Sequence, residues 1–389
     1  MISYDQTFHH RLVEIRRDLH ANPETAFEEY RTTEKIIAIL DSLDIETHPL
    51  PDSTGVVALI RGPVEGPVIG LRADIDALPV HEINDVAYAS RIPKRMHACG
   101  HDANTTIMLG VAEKVIHTDL ASRLRGCVKF LFQPAEEGLG GAKAMIETGA
   151  LENPRVDRII AGHMAPDLPV GNVGIFRGIG HASSDRFRLT IHGKGGHAAR
   201  PEECIDPINA GAYFITQIQS IIGRNVRATE AAVVTVGKFI AGAAANIIPD
   251  TAVLEGTVRT LSTEVRQIVI ERMEDLVSGL EKTFGVQCDW HFQADVPVLY
   301  NDENVAQSLY ETSVKVLGPD HVSYLPPIMG SEDFSLFTLE RPSAIMRIGC
   351  RNEQKGIVHP LHSNHFDIDE KALSIGVAIF YEAVRNYLT

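Results

Sequence analysis

The sequence predicts an α/β protein of two domains, one discontinuous and built on a mostly parallel central sheet, the other an α+β domain inserted into it. Three observations lead there. At 389 residues the chain exceeds the size at which a single hydrophobic core stops growing. Helix-period segments alternate with short, continuously apolar runs at both ends of the chain, the pattern of a sheet buried on both faces. After Gly180 the strands instead alternate polar and apolar residues, and the order becomes β-α-β-β-α-β, that of a split βαβ (ferredoxin-like) sandwich. The expected division is 1–181 with 297–389 for the first domain and 182–296 for the insertion.

The elements follow in order. Phe8, Leu12, Ile15 and Leu19 are spaced as one face of a helix that Pro23 stops. Ile36, Ile37, Leu40 and Leu43 mark a second. Val56–Ile60 and Val68–Leu71 read as neighbouring strands across the turn-like 62–67. A helix from about Ala103 to His117, a strand Cys127–Phe132, a helix near Lys143–Glu147 and a strand Arg158–Ala161 complete the first half. In the insertion, a strand at Arg186–His192 precedes a helix from about Asp206 with Ile208, Ala212, Ile215 and Ile222 on one side. Strands near Ala232–Phe239 and Ala252–Thr260, a helix bearing Val265, Ile268, Met273, Leu276 and Leu280, and a strand near Val286–Phe292 follow. The first domain resumes with a helix at Val305–Leu317, a strand Ser343–Ile348 and a last helix carrying Leu373, Val377, Phe380, Val384 and Leu388.

Bulk properties narrow the function. A net charge of -15 supplies no basic field to neutralise phosphates, which argues against a nucleic-acid partner. No run of eighteen apolar residues is present to span a membrane. The opening Met1–Asp5 turns polar at once, unlike a signal peptide, and five scattered cysteines fit reduced thiols in the cytoplasm better than a disulfide framework.

Polar residues that are costly to bury fall at the ends of predicted strands, where open α/β sheets bind ligands. Asp74 and Asp76 share a side if the backbone there is extended, although a solvated strand end accounts for them too. Cys99 and His101, also two apart, make half a site for a borderline divalent metal, with Asp102 able to orient an imidazole. The alternative is a structural cysteine beside a surface histidine. Glu136 and Glu137 end an apolar strand, where adjacent like charges repel unless a cation compensates; a charged loop is the plainer explanation. His163 stands at a strand's carboxyl end and His362 before the last helix, and each alone suits a hydrogen-bonded structural histidine. Taken together, Cys99, His101, one of the two glutamates, His163 and His362 supply what two metal ions need.

The segments Leu71–Pro79, Met96–Asn104, Phe132–Gly138, Gly195–Pro201, Asn246–Asp250 and Pro360–Ser363 resemble the hippurate hydrolase and N-acyl-amino-acid amidohydrolase branch of the aminoacylase metallopeptidase superfamily. The resemblance extends from His20–Glu24 in the first helical region to the last helix. It implies a zinc-peptidase-like catalytic domain and an inserted dimerisation or lid domain. It also implies two divalent ions per subunit (Mn, Zn, Ni or Co) held by Cys99, His101, Glu137, His163 and His362. Glu136 matches the general base and Asp76 an aspartate behind the ligands. His197 matches a histidine offered to the partner subunit's site in a homodimer or dimer of dimers, and without the resemblance it reads as a surface turn. Asn246 and Arg259 match residues that read the α-carboxylate of an N-acyl amino acid substrate. The chain departs from the pattern at Ala241–Ala245 and at Met164–Pro166, both expected to line the substrate cleft.

Two other classes compete. Cys99 and His101 as a nucleophile–base pair would give a thiol amidohydrolase, but adjacent placement is awkward and leaves Glu136 and Glu137 without a role. A metal-storage or binding scaffold would leave the base incidental.

Overall fold

In the computed structural model, which describes residues 5–138 and 140–389, the chain divides into two compact units. One takes in the chain up to Gly178, Tyr300–Pro326 and Asp333–Thr389; the other takes in Ile179–Leu299 and Pro327–Glu332. Residues 1–4, part of the polar opening read above, lie outside the described residues.

The first unit is built on eight strands. Their order is Glu46–Pro49, Val56–Arg61, Arg125–Gln133, Val64–Asp74, Arg158–Pro169, Ser343–Arg351, Val173–Phe176 and Val322–Leu325. The four strands from Arg125–Gln133 to Ser343–Arg351 are mutually parallel, and Val56–Arg61 and Val173–Phe176 join them antiparallel. Val56–Arg61 and Val64–Asp74 are therefore not neighbours as expected, because Arg125–Gln133 lies between them. Glycine makes room for it. Gly126 has φ +98°, a Cβ there would stand 1.8 Å from Pro67 O, and Gly62 N donates to Gly126 O at 2.8 Å.

The strand containing His163 also runs further than its apolar core suggests. Its pairing with Val64–Asp74 stops at Ala161, but pairing with Ser343–Arg351 continues on the other side and sets His163 opposite Arg347. His163 thus sits inside the strand Arg158–Pro169 and not at its end. The short strands Val173–Phe176 and Val322–Leu325 gave no periodic signal at all.

The second unit has its own core around Phe187, Leu189, Phe214, Leu254 and Met273. Its sheet is antiparallel, in the order Gln287–Val296, Ser184–His192, Thr251–Thr260, Ala232–Ala241, with helices Pro207–Asn225 and Thr263–Phe284. The β-α-β-β-α-β order is as expected, but the buried face of the first helix is not. Pro207, Ala210, Gly211, Phe214, Ile218 and Ile221 face the core, and Ile208 is 39% exposed. Phe214 decides the rotation, packing edge-on to Phe187 with ring centroids 6.3 Å apart. In the second helix Val265, Met273 and Leu280 are buried as expected and Leu276 packs half-buried against the same core; Val269 and Val277 join them, and Ile268 is exposed. All five cysteines are free, and among the described residues no helix is long and apolar enough to cross a membrane.

Helix His101–His117, buried along most of its length, carries one candidate ligand at its first position. A buried polar cluster fixes that end. Arg16, on helix Gln6–Ala21, donates from Nε to Asp102 Oδ2 at 2.8 Å and from Nη2 to Asp367 Oδ1 at 2.9 Å. His20 Nδ1 lies 2.8 Å from the same Asp102 oxygen. Burial pushes the Asp102 carboxyl up, but Arg16 and then His20 hold it far below the usual carboxylate range. A carboxyl lowered in the folded state stabilises above its ordinary value of 3.8, and that contribution is lost as pH falls through the folded value. Arg16→Met should therefore cost about 3–5 kcal/mol at neutral pH, by stranding a buried carboxylate, and should move acid unfolding to higher pH. Urea melts across pH test this, and an unchanged melt would show that the pair holds nothing together.

Candidate metal centre

Five stretches bring the candidate site residues of the first unit together. The strand Val64–Asp74 delivers Asp74 and, two residues on, Asp76. The segment before helix His101–His117 supplies Cys99, followed by Gly100 at φ +87°. Cys99 and His101 do converge, but through this left-handed turn and not along an extended strand. Only glycine fits, since a Cβ at position 100 would stand 2.8 Å from the Met164 side chain. Glu136 and Glu137 follow the strand Arg125–Gln133, and His163 comes from Arg158–Pro169, on the other side of Val64–Asp74. His362, at φ +65°, sits on the loop before the last helix, its amide donating to Ala98 O at 2.8 Å.

The donor atoms form overlapping triads, in each of which all three lie within 4.8 Å of one another: Cys99–His101–His163, Cys99–Glu137–His362 and His101–Glu136–Glu137. Cys99 Sγ is 3.5 Å from His163 Nε2, and His362 Nε2 is 3.1 Å from Glu137 Oε1. Two of these triads share Cys99.

The imidazoles are held for ligation. His101 Nδ1 is 2.9 Å from Asp76 O and 3.2 Å from Asp76 Oδ1; a carbonyl only accepts, so Nδ1 carries the proton. The opposite nitrogen, Nε2, is buried and has no hydrogen-bond partner among the described residues, a lone pair left for a cation. His163 is oriented the same way, Nδ1 donating to Met164 O at 2.9 Å. The thiolate, imidazole and carboxylate set suits a borderline divalent ion.

Charge points the same way. Burial pushes the Cys99 thiol well above its usual value, and Glu137 adds to this. Against the effect of burial, Asp74 and Cys99 raise His101 well above the ordinary imidazole value. Burial pushes Glu137 up, but its hydrogen bond to His362 brings it below its ordinary value. Sites that hold protons this way release them to a metal ion.

One expected role moves. Asp102 orients no ligand; it faces Arg16 and His20, while Asp76 takes the position behind His101. A helix turns about 100° per residue, so the side chain after His101 points away from the ligands. Sequence reasoning also missed three buried groups near Glu136. Arg72 donates to Gln133 Oε1, Asp74 Oδ2 and Asp333 Oδ1 at 2.8, 2.7 and 2.9 Å. Asp333 accepts from Gln133 and from Ala142 N, and its own amide points at Glu136 Oε1, 3.4 Å away. Glu29 accepts from Ala135 N at 2.9 Å. The only sequence sign of them was a charge in an otherwise apolar strand, at Arg72.

His197, Asn246 and Arg259 belong to the second unit. His197 lies on a two-residue strand paired with Ile247, and Ala198 N donates to Asn246 O at 3.1 Å, so His197 and Asn246 are neighbours. Arg259 is not with them. It lies on Thr251–Thr260 opposite Val233, half-buried, with Nη1 unpartnered among the described residues.

Comparison with known proteins agrees with this picture. The model of peptidase family M20/M25/M40 matches residues 70–386. An N-acetylcysteine deacetylase of Bacillus subtilis strain 168 is 39% identical, over 97% of this chain and 97% of its own length. Thermostable carboxypeptidase 2 of Saccharolobus solfataricus is 38% identical, over 94% and 92%. The crystal structure of a Bacillus subtilis protein described as a dinuclear metal binding peptidase of the M20 family superimposes with a TM-score of 0.86 at 36% identity, covering 99% of each chain. This chain therefore belongs to peptidase family M20/M25/M40 and is a hydrolase of amide bonds.

Proposed function

We propose that the protein is a two-metal amidohydrolase of the hippurate hydrolase branch, which cleaves the amide of N-acetyl, N-benzoyl or similar amino acids to a carboxylic acid and a free amino acid. The observation that carries the reading is the convergence of Cys99, His101, Glu137, His163 and His362 around a buried imidazole nitrogen that makes no hydrogen bond among the described residues, with Glu136 alongside. Those five residues would hold the ions. Bound there, the ions supply Lewis acidity, lowering the pKa of a water and polarising the acyl carbonyl. Glu136, buried but within 4.8 Å of the donors of His101 and Glu137, takes the water's proton and returns it to the leaving amine. A thiol mechanism is poorly served by Cys99, which is buried and kept protonated.

The acyl-amino-acid substrate rests on the likeness to the N-acetylcysteine deacetylase and on Arg259, whose buried, unpartnered Nη1 is free to meet a carboxylate. The likeness to a carboxypeptidase supports a second reading, a dipeptide or peptide substrate with the same carboxylate. A screen of the metal-reconstituted enzyme against N-acetyl, N-benzoyl and N-succinyl amino acids and dipeptides separates the two. Preference for dipeptides would move the assignment to the second.

The inserted unit argues for a dimer. His197 and Asn246 stand near the start of the strand Thr251–Thr260, where Gly195 N donates to Asp250 Oδ1. Arg259 is eight residues beyond Thr251, about 26 Å at the rise of a strand. That is more than one N-acyl amino acid bridges, so the same copy of this unit does not bring both to one substrate. Two copies related by a twofold axis do, with His197 reaching the oxyanion of the partner's substrate.

Two expectations follow from these roles. Glu136→Gln should lower kcat by roughly a hundredfold or more with metal content unchanged, whereas Glu137→Gln and His163→Ala should lose metal as well. A Glu136→Gln enzyme with parental kcat would remove the base assignment. Homodimers of His197→Ala and of Glu136→Gln should both be nearly inactive, yet mixing under subunit exchange should restore about a quarter of the sites, because each heterodimer has one intact site. Activity that stays at the sum of the parents, with exchange demonstrated, would place His197 in its own chain's site or in none.

A further inference from the structure

Glu136 projects from a tight turn between the strand Arg125–Gln133 and the helix Gly141–Glu147. The residue before it, Ala135, is fully buried at φ +52°, in the left-handed region that any Cβ disfavours. Such a backbone persists only where its surroundings over-determine it. Here the amide N–H groups of the residues on either side of Glu136 are each held by a buried carboxylate. Glu137 N donates to Asp76 Oδ2 at 3.0 Å, and Ala135 N donates to Glu29 Oε1 at 2.9 Å. Asp76 has other work, since it also holds His101.

Glu29 has no comparable employment. It is 0% exposed, and its second oxygen accepts from Thr54 Oγ1. The backbone around it is fixed from both sides: Thr33 N donates to Glu29 O, and Thr33 Oγ1 accepts from Gly55 N, each at 2.9 Å. Its carboxylate makes no hydrogen bond to a candidate metal ligand, and no cation pairs with it among the described residues. Burial accordingly pushes it up to about 7. A carboxylate this costly to bury is not explained by packing. A carboxylate accepts from both donors at once; glutamine keeps one acceptor, loses the charge, and must turn its NH2 toward the Thr54 hydroxyl, which can take it only by reversing its own bond.

We propose that Glu29 is a positioning residue for the catalytic base: by holding the Ala135 amide it fixes the backbone from which the Glu136 carboxylate reaches the water. The inference rests on the reading of Glu136 as base. Proton transfer is steeply sensitive to geometry, so a loosened turn lowers the rate of the chemical step. Metal binding should be untouched, because the Glu29 carboxylate bonds Thr54 and the Ala135 amide, and no candidate ligand among the described residues.

The test uses the metal-loaded full chain. Glu29→Gln should lower kcat by about 10- to 100-fold, the range found when groups supporting a site are removed, with KM within about twofold and metal content equal to the parent's. Thr54→Val, which frees one oxygen of Glu29, should lower kcat less, and the double variant should be no slower than Glu29→Gln alone. Backbone hydrogen exchange in a peptide spanning 130–140 should quicken in both single variants. A merely structural role would instead lower stability and active fraction and leave kcat per folded, metal-loaded site unchanged. Parental kcat in Glu29→Gln, or a loss that follows lost metal or rises in KM, overturns the proposal. Should Glu29→Gln fail to fold, Thr54→Val at parental kcat and parental exchange overturns it. Glu136→Gln, assayed alongside, separates the two levels. If it keeps parental kcat, the base reading fails; if it is inactive while Glu29→Gln is not impaired, only the role of Glu29 fails.

Discussion

Crowding of negative charge is the constraint on which the rest of the site depends. Asp74, Asp76, Asp102, Glu136, Glu137 and Asp333 are brought to one end of a buried sheet, where carboxylates repel and are poorly solvated. The chain answers half of this with its own guanidinium groups. Arg16 lies against Asp102 and Asp367, and Arg72 against Asp74 and Asp333. Asp76 and Glu137 face imidazoles, those of His101 and His362. The negative charge that arginine neutralises forms the frame, and on the proposed reading Glu137 and the imidazoles are the groups that hold the ions. Replacing a framing arginine and replacing a ligand should therefore do different things, the first to stability and the second to metal.

Backbone conformation at the site tells the same story. Gly100, Ala135 and His362 all have positive φ, and each stands at or beside a candidate ligand or the base. Two of the three carry a Cβ, so this strain is sustained by the rest of the domain. The sheet provides the support. The parallel strands Arg125–Gln133, Val64–Asp74 and Arg158–Pro169 set the origins of the loops, and buried side chains of Asp76, Asp333 and Glu29 then take the loop amides that no strand satisfies. Carboxylates thus serve twice in this domain, around the ions and as acceptors for the turns that carry the ligands.

The longer helices and their order were legible in the sequence because a 3.6-residue period is local information, whereas the seven-residue helix Phe334–Glu340 was too short to show one. Adjacency in the sheet was not. Nothing within Val56–Asp74 announces that Arg125–Gln133 will lie between its two strands, and the helix face of Pro207–Asn225 was misjudged because isoleucines were counted while Phe214 set the packing. The site was legible to the extent that its residues are out of place in their local context: a thiol beside an imidazole, two glutamates after an apolar strand. Asp102 and Asp76 could not be ranked without knowing that His101 opens a helix. Glu29 was invisible for a deeper reason. Its segment reads as an ordinary charged helix entry, and its significance comes from an amide 106 residues away.

The proposed division of labour has a consequence for specificity. In the first unit, water activation and proton transfer depend on groups locked by the contacts described above, which leave little room for change. In the second, His197 lies on an exposed two-stranded ribbon, Asn246 in the turn that leads into its other strand, and Arg259 at the far end of a strand. Their supports are few, so replacing residues around them costs the fold little. Changes of acyl group or amino acid are therefore easiest to accommodate in the inserted unit, with the hydrolytic machinery held constant. On this reading, the Ala241–Ala245 run just before Asn246 is where this chain's preference is set, because small side chains there leave space beside the residue proposed to read the substrate carboxylate.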